Sequence, residues 1–171
     1  MMTYESITMQ GDADTVRYLL EKRGERMLYV FGINPSTANE NKADPTMRKV
    51  MGFAERNGFD GFVMMNLYPQ RSTNPNGLHK ERNEQLHQQN LITIAKTFTG
   101  TEAPVVLLAF GNNIAIRRYL KDCLRDIYRV LLPHHPNWCQ IGIPTQEGHP
   151  RHPLYAKYQP LSAFEVENYL Q

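Results

Sequence analysis

The sequence predicts an α/β fold of three layers. A central, mostly parallel sheet lies between helices, and a β-hairpin stands at the N-terminus. Two observations carry this. Four short apolar runs, around residues 27–33, 62–67, 104–110 and 138–143, alternate with segments whose apolar residues recur at helical spacing. These runs are apolar at nearly every position, which suits strands buried on both faces. Such β-α alternation argues for a parallel sheet covered on both sides.

Taken in order, residues 5–9 read as a short strand. Residues 15–20 and 27–33 flank the polar turn at 21–26 and read as the two arms of the hairpin. Residues 34–43 are a polar loop. Asp44-Pro45 reads as N-cap and first helical position, followed by Met47, Val50, Met51 and Ala54, with Gly58 as the stop. The polar stretch 68–80, with Asn-Pro-Asn-Gly inside it, is a long loop of the kind that usually carries function. Leu86, Leu91, Ile94, Ala95 and Phe98 mark a second helix, and Ile116, Leu120, Cys123, Leu124, Ile127 and Leu131 a third. Ser162 with Glu165 has capping-box spacing, with Leu161 and Val166 as a staple, so a last helix is expected from about residue 163 to the end.

A chain of 171 residues fits one domain, residues 1–171, with a core large enough to need neither disulfide nor metal. With 41% hydrophobic and 21% charged residues it is neither disordered nor fibrous. No apolar run approaches the roughly 18 residues that span a bilayer, so no membrane association is expected. The N-terminus carries Glu5 and Asp12 and no apolar stretch of signal-peptide type, so no export signal is expected, and Cys123 and Cys139 read as reduced thiols of a cytoplasmic protein. A net charge of +2 is small for a strong nucleic-acid binder. Nucleic acid would have to engage a local basic patch, for which Arg71, Arg82, Arg117, Arg118, Arg151 and Lys157 are candidates.

Ligands of open parallel sheets bind beyond the carboxyl ends of the strands. That rule selects loops beginning at Asn34, Asn66, Gly111 and Pro144. The first carries Gly32, Ile33, Asn34, Pro35, Ser36 and Thr37. Its asparagine offers two donors and an acceptor to a water or an amide edge; the plainer alternative is an Asn-Pro turn serving its own backbone. The second carries Asn66, Tyr68 and Arg71; Asn66 at a strand end suits a base edge, or else an Asx-turn. The third carries Gly111 and Asn112 ahead of a helix, an anion site or a simple capped turn. The fourth carries His149, Arg151, His152 and Leu154 between prolines. A histidine there suits an anion developing on a leaving group; the alternative is a rigid surface loop. No Walker A loop, G-x-G-x-x-G, G-x-S-x-G or H-E-x-x-H occurs, so no cofactor and no metal are called for. A mixed set of His149, His152 and Asp44 is the one metal alternative, and the pair His134-His135 is a poor one.

The run Asn34-Pro35-Ser36-Thr37-Ala38, then Asp44-Pro45-Thr46, Asn66-Leu67 and Pro150-Arg151-His152-Pro153-Leu154-Tyr155, resembles an uncharacterised bacterial and phage domain family over roughly residues 15–158. That family brings no established activity. The same landmarks are more distantly similar to the uracil-DNA glycosylase superfamily. Its mismatch-specific branch ends a strand in G-I-N-P-G, which Gly32-Ile33-Asn34-Pro35 matches, with Ser36 at the final glycine. The resemblance implies a central, largely parallel sheet between helices. It implies that Asn34 positions the hydrolytic water and that Asn66 reads a pyrimidine edge. A histidine, His149 or His152, would contact the base carbonyl, and Leu154 would wedge the duplex. Phe53 and Tyr68 are the candidates to stack on a flipped base.

Three functions follow as expectations: an enzyme acting on a nucleobase–sugar bond; a non-catalytic module binding a nucleotide or nucleic acid through the same pocket; and a hydrolase or transferase on an unrelated small substrate.

Overall fold

A computed structural model describes all 171 residues. The strands are β1 (Ile7–Gly11), β2 (Arg17–Lys22), β3 (Met27–Gly32), β4 (Gly61–Asn66), β5 (Val105–Leu108), β6 (Asn137–Ile141) and β7 (Leu161–Ala163). The helices are α1 (Pro45–Arg56), α2 (Glu84–Thr97), α3 (Arg118–Leu131) and α4 (Val166–Leu170). One seven-stranded sheet runs in the order β1-β2-β4-β3-β5-β6-β7. Its middle, β4-β3-β5-β6, is parallel, and its edges are antiparallel.

Alternate residues of the middle strands feed two cores. Tyr29, Phe31, Val63, Met65, Val106 and Leu108 pack under α2 and α3. Leu28, Val30, Phe62, Met64 and Leu107 pack under α1. The all-apolar runs expected of doubly buried strands are therefore present, and the three-layer architecture with them. Helix α1 begins as its sequence dictates. Asp44 accepts a hydrogen bond from the Met47 N–H at 2.8 Å and Pro45 occupies the first turn. Gly58, at φ +84°, follows its end.

Two local expectations are corrected. The N-terminal hairpin exists, but its arms are β1 and β2, not residues 15–20 and 27–33. β2 pairs instead with β4, Leu20 opposite Met64, so β2 and β3 are separated by a strand that arrives later in the chain. The backbone edges of both β2 and β3 are paired by β4, which local spacing does not reveal. The capping box at Ser162 does not form. Residues 161–163 are the edge strand β7, and the Ser162 hydroxyl donates to the Gly142 carbonyl across the sheet. α4 starts only at Val166, with no side-chain cap.

The order of the middle strands positions the site. The chain passes from β3 through α1 to β4 on one side, then crosses through α2 to β5 on the other. The connections diverge at the carboxyl end of β3, and a crevice opens there.

Candidate functional site

A cleft of about 580 Å³ lies at this point. All four loops selected from the sequence reach it. Gly32, Ile33, Asn34, Ser36, Thr37, Asp44, Asn66, Gly111, Asn112, Arg151, His152 and Leu154 line it. Pro35, Tyr68, Arg71 and His149 do not.

The floor is the register pair Gly32–Asn66 at the ends of β3 and β4. A Cβ on Gly32 would stand 2.9 Å from Asn66 Oδ1 and 2.9 Å from Met64 Cε, so the glycine leaves room for the asparagine amide. Asn66 is 1% exposed, and its Nδ2 has no hydrogen-bond partner. A buried amide donor without an acceptor is costly in a folded chain. An incoming acceptor would satisfy it.

Asn34 is half-buried above the floor. Its Nδ2 donates to the carbonyls of Pro35 (3.0 Å), Ser72 (2.9 Å) and Gln70 (3.4 Å), pinning the 68–80 loop against the end of β3. The donor is thus committed to structure, and the Oδ1 acceptor remains for a ligand or a water.

His152 faces the cleft from the fourth loop. Its Nδ1 accepts from the Leu154 N–H at 3.1 Å. The proton of the neutral ring therefore sits on Nε2, which has no partner in the chain. Burial lowers its pKa below 6.5, against an opposing pull from Asp44. The ring is a neutral N–H donor at neutral pH. Gly111, at φ +61°, makes this placement feasible: its N–H donates to Pro150 O at 2.8 Å, and a Cβ there would come within 3.0 Å of His152 Cβ. Asn112 further ties the third loop to the fourth, donating to Glu147 at 2.9 Å and accepting from the Thr145 hydroxyl at 2.7 Å. Arg151 is held by the carbonyls of Ile143 (2.8 Å) and Pro144 (3.3 Å).

The two histidines of the fourth loop part company. His149 Nδ1 meets the Tyr169 hydroxyl at 2.6 Å, on the side of α4. No three His, Cys, Asp or Glu side chains converge as a metal set, and His149, His152 and Asp44 are not one. Tyr68 and Phe53 are both fully buried in the cores and do not line the cleft. Tyr68 instead joins its hydroxyl to His79 Nδ1 at 2.7 Å and accepts from the Asn83 N–H at 2.9 Å. The exposed aromatic at the cleft is Tyr155, 87% exposed, one residue after Leu154. Arg82 pairs with Glu84 at 2.7 Å, and Arg117 grips the carbonyls of Asn76, Leu78 and His79, so neither guanidinium is free of the chain. No helix is long and apolar enough to cross a membrane.

Sequence reasoning misses Arg17. It lies at the start of β2, is 2% exposed, and lines the cleft. The only signal was a cation inside the apolar run Val16-Arg17-Tyr18-Leu19-Leu20.

The profile of a family described as "Protein of unknown function (DUF1643)" matches residues 17–154, from Arg17 through Leu154. The chain belongs to the DUF1643 family. No curated protein and no solved structure matches it. The DUF1643 match begins and ends on residues that line the cleft.

Proposed function

We propose that this DUF1643 protein binds a nucleobase or nucleotide in the cleft and hydrolyses an N-glycosidic bond, in the manner of the uracil-DNA glycosylase superfamily its motifs resemble. One observation supports the reading: Asn34, Asn66 and His152, from three separate parts of the chain, line one cleft, and each keeps a polar group with no partner in the chain. Asn34 Oδ1 accepts from a water and aims it at the anomeric carbon. The Asn66 amide pairs with the base edge. The neutral His152 Nε2–H donates to a base carbonyl oxygen and stabilises the charge that gathers there as the bond breaks. The water oxygen bonds to the anomeric carbon, the C–N electron pair departs on the base, and the water's proton reaches the base through solvent. Near-balanced charge favours a mononucleotide or short single strand over a duplex.

The test is base release from free nucleotides and from single- and double-stranded oligonucleotides carrying uracil, mismatched thymine, hypoxanthine or alkylated bases. His152→Gln is expected to slow release by about a hundredfold or more with the fold intact. Asn34→Ala should abolish release, and circular dichroism will register any loosening of the loop it pins. No release from any substrate overturns the enzymatic reading and leaves binding without turnover, which melting shifts with nucleotides would detect.

A further inference from the structure

We infer that Arg17 is the centre of an anion subsite in the cleft, built to hold the phosphate of the ligand. Arg17 Nη1 donates to Ala38 O at 3.1 Å. Its Nε is buried without a partner, and Nη2 makes no hydrogen bond within the chain. The unused edge, Nε with Nη2, is the side of a guanidinium that grips two oxygens of a phosphate or carboxylate in parallel. A second guanidinium converges on the same carbonyl: Arg71 Nη1 lies 3.3 Å from Ala38 O and 2.7 Å from Ser36 O. No ion pair of the molecule includes Arg17 or Arg71.

Arg71 stands outside the cleft and spends its donors on Asp12 O, Ser36 O, Ala38 O and Met9 Sδ, so it adds positive charge beside Arg17 without reaching a ligand, and a buried guanidinium next to a second cation is unfavourable unless an anion comes to it. The charge acting on Arg17 from nearby groups is mixed. Asp44 and Tyr4 favour its charged form, Arg71 opposes it, and burial lowers its pKa to about 10, which leaves it fully charged at neutral pH. Asp44 is occupied as the cap of α1 through Oδ1. The amino end of the same twelve-residue helix faces the cleft through Pro45, Thr46 and Met47, and adds positive potential there. The anion is a phosphate, carried by a mononucleotide or by a nucleic-acid backbone. Naming a nucleotide as the carrier rests on the function proposed above; the anion subsite does not.

Isothermal titration of the full chain with inorganic phosphate, a nucleoside, the corresponding nucleoside 5′-monophosphate and a short oligonucleotide tests it. The monophosphate or the oligonucleotide is expected to bind about tenfold or more tighter than the nucleoside. Arg17→Met should erase that difference while leaving Tm unchanged or raised, because it removes an unpaired buried charge. Arg17→Lys keeps the charge and loses the fork, and should erase most of the difference even if the methionine variant does not fold. A preference for the monophosphate identifies a mononucleotide carrier, and a preference for the oligonucleotide a backbone. Equal affinity for nucleoside and phosphorylated ligands, no binding by any probe, or a preference that survives both variants overturns the inference. Arg17-dependent binding without base release would retire the glycosidic chemistry and leave the subsite standing.

Discussion

On the α2–α3 face, Asp126 takes His87 Nε2 at 2.7 Å, Arg129 at 3.3 Å and Arg82 at 3.6 Å. On the α1 face, Arg17 and Arg71 share the Ala38 carbonyl, and no carboxylate pairs with either. Both clusters are polar groups at the margin of an apolar core. In the first, Asp126 balances the charge and fastens two helices, although His87 Nδ1 and Arg82 Nη1 are left without a hydrogen bond. The second is left open, and it is the one that lines a cleft. What separates a structural polar cluster from a binding one here is less its composition than whether its charge is balanced within the chain.

The strongest way to break this contrast is Asp126→Ala. It strands the fully buried His87, while Arg82 keeps Glu84 and Arg129 stays in solvent, and with Asp126 itself 30% exposed the loss should be about 2 kcal/mol by chemical denaturation. A loss no greater than that of Arg17→Met would erase the distinction between the two faces.

A smaller effect separates the two histidines of the fourth loop. Burial lowers both His149 and His152 below 6.5. As pH falls below 6.5 the unfolded chain takes up these protons before the folded chain does, so stability declines toward each lowered value and is fully present only above 6.5. His149→Gln and His152→Gln should each flatten this acid-side decline in Tm. Only His152→Gln should also alter the acid limb of ligand binding or turnover, since His149 is turned to Tyr169. Equal effects of both on binding would argue against His152 as the cleft donor.

The smallest effect sharpens the electrostatics. Asp44→Asn keeps an equally good helix cap, so stability should move by no more than a few tenths of a kcal/mol. It removes the one carboxylate near Arg17, so phosphate affinity should rise. A fall in affinity would mean that Asp44 orients Arg17 rather than competing with the ligand.

Much of this was legible in the sequence because it depends on local rules. Strands apolar at every position must be covered twice, and loops after such strands must meet at one end of the sheet. Those rules bring Asn34, Asn66 and Gly111 to the cleft, but they do not choose between His149 and His152. Arg17 escapes them, because its strand joins the sheet through β4, some forty residues onward, and nothing local tells which end of β2 faces the crevice. Tyr68 differs for a related reason: an aromatic just past a strand end can turn up toward ligand or down into the core, and here it packs beside Tyr119 with its hydroxyl held by His79 and Asn83. Ser162 carried the spacing of a cap, yet an edge strand could use its hydroxyl across the sheet.

The cleft lining reaches from Arg17 to Ala156 and draws on β2, the ends of β3 and β4, the start of α1 and the loops that follow β5 and β6. No segment of the chain holds the walls by itself. Occupancy is therefore coupled by mass action to closure of the whole sheet, and a ligand at a hundred times its Kd would add about 2.7 kcal/mol to global stability. Substitutions remote from the cleft that loosen the fold will then look like losses of affinity, and saturating ligand will rescue them.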